Sequence, residues 1–223
     1  MNELPKMFCI TLKTTPERKK FADDHFKQNG LDVTFFDGID NRKFGLKTTI
    51  PYNDDNPNGP DYFIRRGHVG AILSHYMLWQ TLSYLPYEEI LIFEDDVVLK
   101  DNFKENLLNY KSQLPVDWQF VFVGHCCLPP EEYQIKLTDN IITTTHPPMC
   151  VHAYMIKKSS IPTLLDTNHI GWSSIDIQIQ KITLKKMSHH IFLPMLADQR
   201  SITRARNRLD DPDNIFGSLT EYV

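Results

Sequence analysis

Apolar residues fall in short blocks separated by longer polar stretches. The most apolar block, Ile90-Leu91-Ile92-Phe93, runs straight into Glu94-Asp95-Asp96 and then Val97-Val98-Leu99. Four consecutive apolar residues, three of them β-branched or aromatic, predict a strand buried on both faces, and the block is too short for a helix. Phe8–Leu12 predicts an earlier strand, and Leu31–Ile39 another, with Val33, Phe35 and Phe36 in its core and Asp37-Gly38 as its exit. Trp118–Val123 predicts a buried strand ending at Gly124-His125. Ile141–Ile156 reads as two extended stretches around Pro147-Pro148, and Ile191–Leu193 as the last strand.

Between the strands the period changes. Thr14-Thr15-Pro16-Glu17 offers a threonine cap, an early proline and a carboxylate in the first turn, so a helix is expected from there to Gly30. Val69, Ile72, Leu73 and Tyr76 recur at helical spacing, with Gly67 and Gly70 allowing close backbone approach at the helix start. Helices are also expected over Asp101–Gln113, capped by Asp101, over Lys157–Asp166, and after Ser174, which places Asp176 in a first turn. This alternation predicts one α/β domain spanning 1–223, with a mixed, mainly parallel sheet flanked by helices, because several connections are too short for regular crossovers. Residues 47–62, with three prolines and no periodicity, are expected to form a mobile loop, possible cover for a site, and 198–223 a basic C-terminal tail carrying Arg200, Arg204, Arg206 and Arg208.

Composition narrows the function classes. The chain has 223 residues, 41% of them hydrophobic and 23% charged, and a net charge of -4, which argues against nucleic acid as partner. No stretch approaches membrane-spanning length and the start lacks a leader pattern, so a soluble protein is expected, with removal of a targeting segment left open. Cys9, Cys126, Cys127 and Cys150 form no CxxC pair, which argues against structural zinc. Buried free thiols are the expectation, and with them a reducing compartment, cytoplasmic rather than secreted. Nothing in the pattern sets the oligomeric state.

The chemistry concentrates where strands end. Two carboxylates about 4 Å apart repel by roughly 4 kcal/mol at an effective dielectric near 20, so Glu94-Asp95-Asp96 after a buried strand calls for a cation or for solvent. A hard divalent cation is one solution, and a solvated acidic turn the other. Arg18, near the end of the first strand, is a phosphate candidate, and Asp37 a ribose or base candidate unless it simply makes its turn. Ser74 and His75 stand on the expected helix that carries Val69, Ile72 and Tyr76, where a histidine beside a packed face is more often structural.

Several stretches together resemble glycosyltransferase family 25, which includes lipopolysaccharide-modifying enzymes and procollagen galactosyltransferases. They are Ile10-Thr11-Leu12 followed by Pro16-Glu17-Arg18; Gly67-His68-Val69-Gly70 followed by Leu73-Ser74-His75; and Leu91-Ile92-Phe93-Glu94-Asp95-Asp96. Cys150-Val151-His152-Ala153-Tyr154 is similar to the Cys-Thr-His-Ala-Tyr segment of the collagen-modifying branch. The resemblance implies a GT-A-like nucleotide-sugar-binding domain that moves glucose or galactose from a UDP-sugar to an acceptor hydroxyl, with inversion and with manganese or magnesium. The implied acceptors are hydroxylysine of a collagen-like protein or a glycan. Donor-side roles fall to Thr11, Leu12, Arg18, Asp37, Gly70, Ser74, Glu94 and Asp95. Asp96 with Asp95 is the metal pair, Asp176 the first choice of general base, and His152 and His125 the second. One departure is that no histidine follows His190 to serve as a late metal ligand. A catalytically silent sugar-nucleotide or glycan-binding module is the alternative function, and a metal-dependent phosphohydrolase a third.

Overall fold

Ile90, Leu91, Ile92 and Phe93 are all fully buried in a computed structural model of the chain, which describes residues 3–41, 48–49, 63–64, 66–170 and 173–200. The expected loop at 47–62 lies outside the described residues except for 48–49, and the expected tail is described only to Arg200. The strands and helices are β1 (Lys6–Thr11), α1 (Pro16–Gln28), β2 (Val33–Asp37), β3 (Thr48–Thr49), β4 (Phe63–Ile64), α2 (Arg66–Ser83), β5 (Glu89–Glu94), β6 (Val97–Leu99), α3 (Phe103–Lys111), β7 (Phe120–Cys126), β8 (Gln134–Lys136), β9 (Ile141–Thr144), β10 (Met149–Lys157), α4 (Ile161–Thr167), α5 (Ile175–Lys181), β11 (His189–Phe192) and β12 (Ala197–Gln199).

The main sheet has eight strands in the order β2-β1-β5-β10-β7-β11-β9-β8. Only β10 and β9 run against the other six, which is the mixed α/β arrangement the alternation implies. Period-2 alternation divides β5 between two cores. Leu91 and Phe93 pack with Met7, Cys9, Ala22, Phe26 and Phe103 on one face. Ile90 and Ile92 pack with Phe8, Ile72, Trp79, Tyr154 and Leu164 on the other. Burying each such side chain contributes roughly 2 kcal/mol, so the strand with both faces covered anchors the fold.

Register levels the strand ends. Ile10 pairs with Glu94 on one side and Phe36 on the other, so Thr11, Asp37 and Glu94 finish along one edge of the sheet. There the apolar run is interrupted. Asp95-Asp96 turn the chain, and Val97–Leu99 leaves the main sheet to pair antiparallel with β12. The three-residue β12 lies beyond the strand expected to be last, and it is too short to carry a pattern of its own.

Three further expectations are corrected. The side chains of Val33, Phe35 and Phe36 are half-buried, because β2 is an edge strand with one neighbour. Asp101 does not cap α3; the helix begins after Asn102, which sits at φ 56 in the left-handed region that asparagine tolerates. Cys126 and Cys150 are not free thiols but a disulfide, with Cα atoms 5.5 Å apart. Met149 stands opposite Cys126, the pairing of β10 with β7 is irregular between Met149 and Ala153, and Cys150 at φ 69 brings its sulfur across. Cys9 is free and buried and Cys127 free and exposed. The case for a reducing compartment rested on free thiols and loses that support. Among the described residues no helix is long and apolar enough to cross a membrane.

Candidate functional site

The three consecutive carboxylates end in three different environments. Asp95 is enclosed: Thr11 Oγ1 donates to its Oδ2 at 3.1 Å, and Arg18 donates to its Oδ1 from Nε at 2.8 Å and also from Nη2. Burial pushes its carboxyl up, and the Arg18 guanidinium and the two hydrogen-bonded partners offset only part of that. Arg18 reaches Asp95 because α1 begins at Pro16 and sets its first turn over the end of β1, leaving the arginine side chain only 14% exposed. Arg18, the phosphate candidate, is thus already engaged with a carboxylate.

Asp96 is 3% exposed and lies 3.6 Å from Arg18 Nη2 through Oδ2, while its Oδ1 is buried without a hydrogen-bond partner among the described residues. Burial, then the charge of Glu94, pushes the Asp96 carboxyl up to about 7. A buried carboxylate oxygen with no donor is costly to hold in the charged form, and a cation with oxygen preference relieves that cost. The donor set therefore suits a hard divalent cation at Asp96. Asp95 offers it less, since both its oxygens are engaged.

Glu94 faces outward, with its side chain 28% exposed, and its Oε1 lies 3.3 Å from His75 Nε2. Burial pushes this carboxyl up, but the His75 hydrogen bond, the neighbouring imidazoles and Arg18 outweigh it and leave it below its ordinary range.

Across the edge, α5 presents Asp176 in its first turn. Ser174 Oγ donates to Asp176 Oδ1 at 2.6 Å, so the capping residue holds the carboxylate instead of a backbone N–H. Burial, offset in part by Ser174 and by the charge of His68, raises the Asp176 carboxyl, and Glu94 adds to the rise. That coupling to Glu94 places Asp176 in the same electrostatic field as the carboxylates of β5. His68, at the start of α2, enters the site through this charge interaction; only its place in Gly67-His68-Val69-Gly70 marks it in the sequence.

Other candidates hold the frame. Ser74 Oγ donates to Gly70 O at 2.6 Å and accepts from Ile39 N at 2.8 Å, pinning α2 against the exit of β2. A Cβ at residue 70 would lie 2.7 Å from Ile39 O, so glycine there permits the contact. Leu12 O accepts from Thr15 N at 3.1 Å, and Asp37, at the rim, pairs with Lys13 at 3.0 Å. His152 is fully buried, its Nε2 3.4 Å from Ala197 O and close enough to Gly124 that a Cβ there would come within 2.3 Å. His125, also buried, has its imidazole pulled down to about 4 by burial and by His152. Nitrogen and sulfur atoms of Cys126, Cys150 and His152 lie within 4.8 Å of one another, but the two sulfurs are bonded to each other and do not form a metal cage.

Comparison with known proteins gives a consistent family. The profile described as Glycosyltransferase family 25 (LPS biosynthesis protein) matches residues 4–179. A "Glycosyltransferase 25 family member" of Aedes aegypti is 31% identical over 128 residues, covering 53% of this chain and 21% of the relative. "Procollagen galactosyltransferase 2" of Homo sapiens is 24% identical over 130 residues, covering 53% and 20%. "Inactive glycosyltransferase 25 family member 3" of Mus musculus is 25% identical over 137 residues, covering 57% and 23%. The aligned part of this chain thus spans about a fifth of the length of each of these relatives.

Proposed function

The chain belongs to glycosyltransferase family 25, and from that premise we propose that it transfers a hexose, glucose or galactose, from a UDP-sugar to an acceptor hydroxyl with inversion. The observation that carries the reading is the buried, partnerless Oδ1 of Asp96 at the end of a fully buried strand, beside an Asp95 already neutralised by Arg18. Asp96, with Asp95 at its side, would hold manganese or magnesium. Such a cation supplies neutralisation of the diphosphate charge that develops as UDP leaves. Glu94 accepts hydroxyl protons of the donor through its exposed oxygen. Asp176 is the base for the acceptor hydroxyl: its raised carboxyl is more basic than an ordinary aspartate, and unlike His152 it is not sealed in the core. The acceptor is hydroxylysine of a collagen-like chain, in line with the procollagen relative, or a glycan, in line with the family's description.

The test is calorimetric titration of UDP-glucose and UDP-galactose, with and without manganese, into the native protein and Asp96→Asn. Manganese-dependent binding is expected in the native protein. In the variant it falls by more than the roughly 10–100-fold that changes beyond the metal's own ligands produce. Binding that ignores both manganese and the substitution overturns the reading. The name of the mouse relative favours a second reading, a silent binding module. Donor binding with no sugar transfer to collagen peptides or glycans would select it.

A further inference from the structure

Behind Glu94 a line of three buried side chains ends on its carboxylate. Trp79 Nε1 donates to the Tyr154 hydroxyl oxygen at 2.9 Å. That oxygen lies 2.8 Å from His75 Nδ1, and His75 Nε2 lies 3.3 Å from Glu94 Oε1. Trp79 and Tyr154 are fully buried and His75 is 1% exposed. The sequence brings them together through two periodicities. His75 and Trp79 are four residues apart on α2 and so share a face, and Tyr154 stands opposite Ile92 where β10 pairs with β5.

Counting protons fixes the direction of every bond. An indole N–H only donates, so the Tyr154 oxygen accepts from Trp79. Tyr154 has one proton of its own, which burial makes hard to remove, and its ring lies stacked on Phe120 with centroids 5.1 Å apart. Among the described residues the only other hydrogen bond of this hydroxyl is with His75. If His75 Nδ1 carried a proton toward Tyr154, the hydroxyl proton would be stranded in the core without an acceptor. If Tyr154 donates, all three donors are used, and the imidazole carries its proton on Nε2, facing Glu94.

We propose that Tyr154 and Trp79 are positioning residues that set the tautomer of His75, so that the imidazole donates to Glu94 Oε1 and leaves the other carboxylate oxygen aimed at the donor. The proposal rests on the reading of this edge as a donor site only for its functional consequence; the tautomer belongs to the ligand-free protein.

Long-range 15N–1H correlation of the histidine side chains in ligand-free protein, with the His75 signals identified by their loss in His75→Gln, tests it directly. The expected spectrum is that of the Nε2–H form. In Tyr154→Phe, and in the milder Trp79→Phe, the expected spectrum moves toward a mixture of tautomers. A native spectrum with the proton on Nδ1 overturns the proposal, and it can be read even if Tyr154→Phe fails to fold. The second measurement is kinetic. Tyr154→Phe should raise the KM for UDP-sugar about fivefold to tenfold, the scale of one misdirected hydrogen bond, with a smaller change in kcat. His75→Gln places an amide N–H where Nε2–H stood and needs no proton from Tyr154. Adding Tyr154→Phe to His75→Gln should therefore leave KM unchanged, and an equal loss in both backgrounds overturns the proposal. An Nε2–H spectrum in a protein that binds no UDP-sugar would remove the donor-site reading and leave the proton order intact.

Discussion

Two polar clusters sit side by side on one edge of the sheet, and they meet the cost of burial in opposite ways. At the end of β5 the carboxylates are only partly compensated: Arg18 closes Asp95, and Asp96 keeps one buried oxygen open. At the end of β7, facing the start of β10, the polar groups are made inert: a covalent bond joins Cys126 to Cys150, and burial holds the His125 imidazole neutral. An edge left electrically incomplete is suited to take up a charged ligand. An edge closed by a covalent bond is suited to hold its neighbour still.

Arg18→Ala breaks the contrast most strongly. It leaves Asp95 buried without its cation, and removing one partner of such a pair costs about 3–5 kcal/mol, read as a lower urea midpoint. Asp95→Asn in the same background should return part of that loss; a loss below about 1 kcal/mol for Arg18→Ala would mean the pair behaves like an exposed one.

The two clusters should also respond to pH with opposite signs. Asp96, at about 7 in the fold against 3.8 in the free chain, binds its proton more tightly when folded. Without a divalent cation its contribution is therefore present at low pH and lost as pH rises from about 4 to about 7, by at most about 4 kcal/mol. His125, at about 4 against 6.5, is the reverse: its contribution is present above 6.5 and lost as pH falls toward 4, by at most about 3 kcal/mol. Urea midpoints across this range should separate them. Asp96→Asn removes the loss on raising pH, and His125→Gln removes the loss on acidification. Unchanged slopes in either variant would assign the dependence to other groups.

The smallest effect on the donor site is expected from Cys126→Ser with Cys150→Ser. Opening a link between residues 24 apart in sequence costs about 3 kcal/mol on the chain-entropy account, and Tm should fall accordingly. Manganese-dependent UDP-sugar binding should change far less than in Asp96→Asn. An equal loss in both would mean that the closed cluster shapes the open one.

What the sequence makes legible follows from range. The buried β5, the proline start of α1 and the helical period of α2 are written in consecutive residues, and the structure has them. But Thr15, expected to cap α1, donates instead to Leu12 O and caps no backbone N–H, and Leu73 and Tyr76 of the expected α2 stripe are only half-buried. The three carboxylates are equally plain, but their division of labour depends on which oxygen meets Arg18, 77 residues earlier. His75 reads as a packed helix histidine, and it is one; its hydrogen bond with Tyr154 spans 79 residues and leaves no local trace. The disulfide has no spacing signal because it depends on an irregular register in β10. The β6–β12 pair escapes notice because three residues carry too little pattern for any period.

That small pair also orders the birth of the molecule. β1, β2 and β5 all precede β12, so a chain growing from its N-terminus can join them and seat Arg18 on Asp95 before β12 is made. The strand that closes the turn after Asp96 is residues 197–199, with Gln199 opposite Val97 and Arg200 N held by Asp96 O at 2.9 Å. The acidic turn therefore stays ajar until β12 has been made, and its last fastening comes from a strand far along the chain from the carboxylates it closes over.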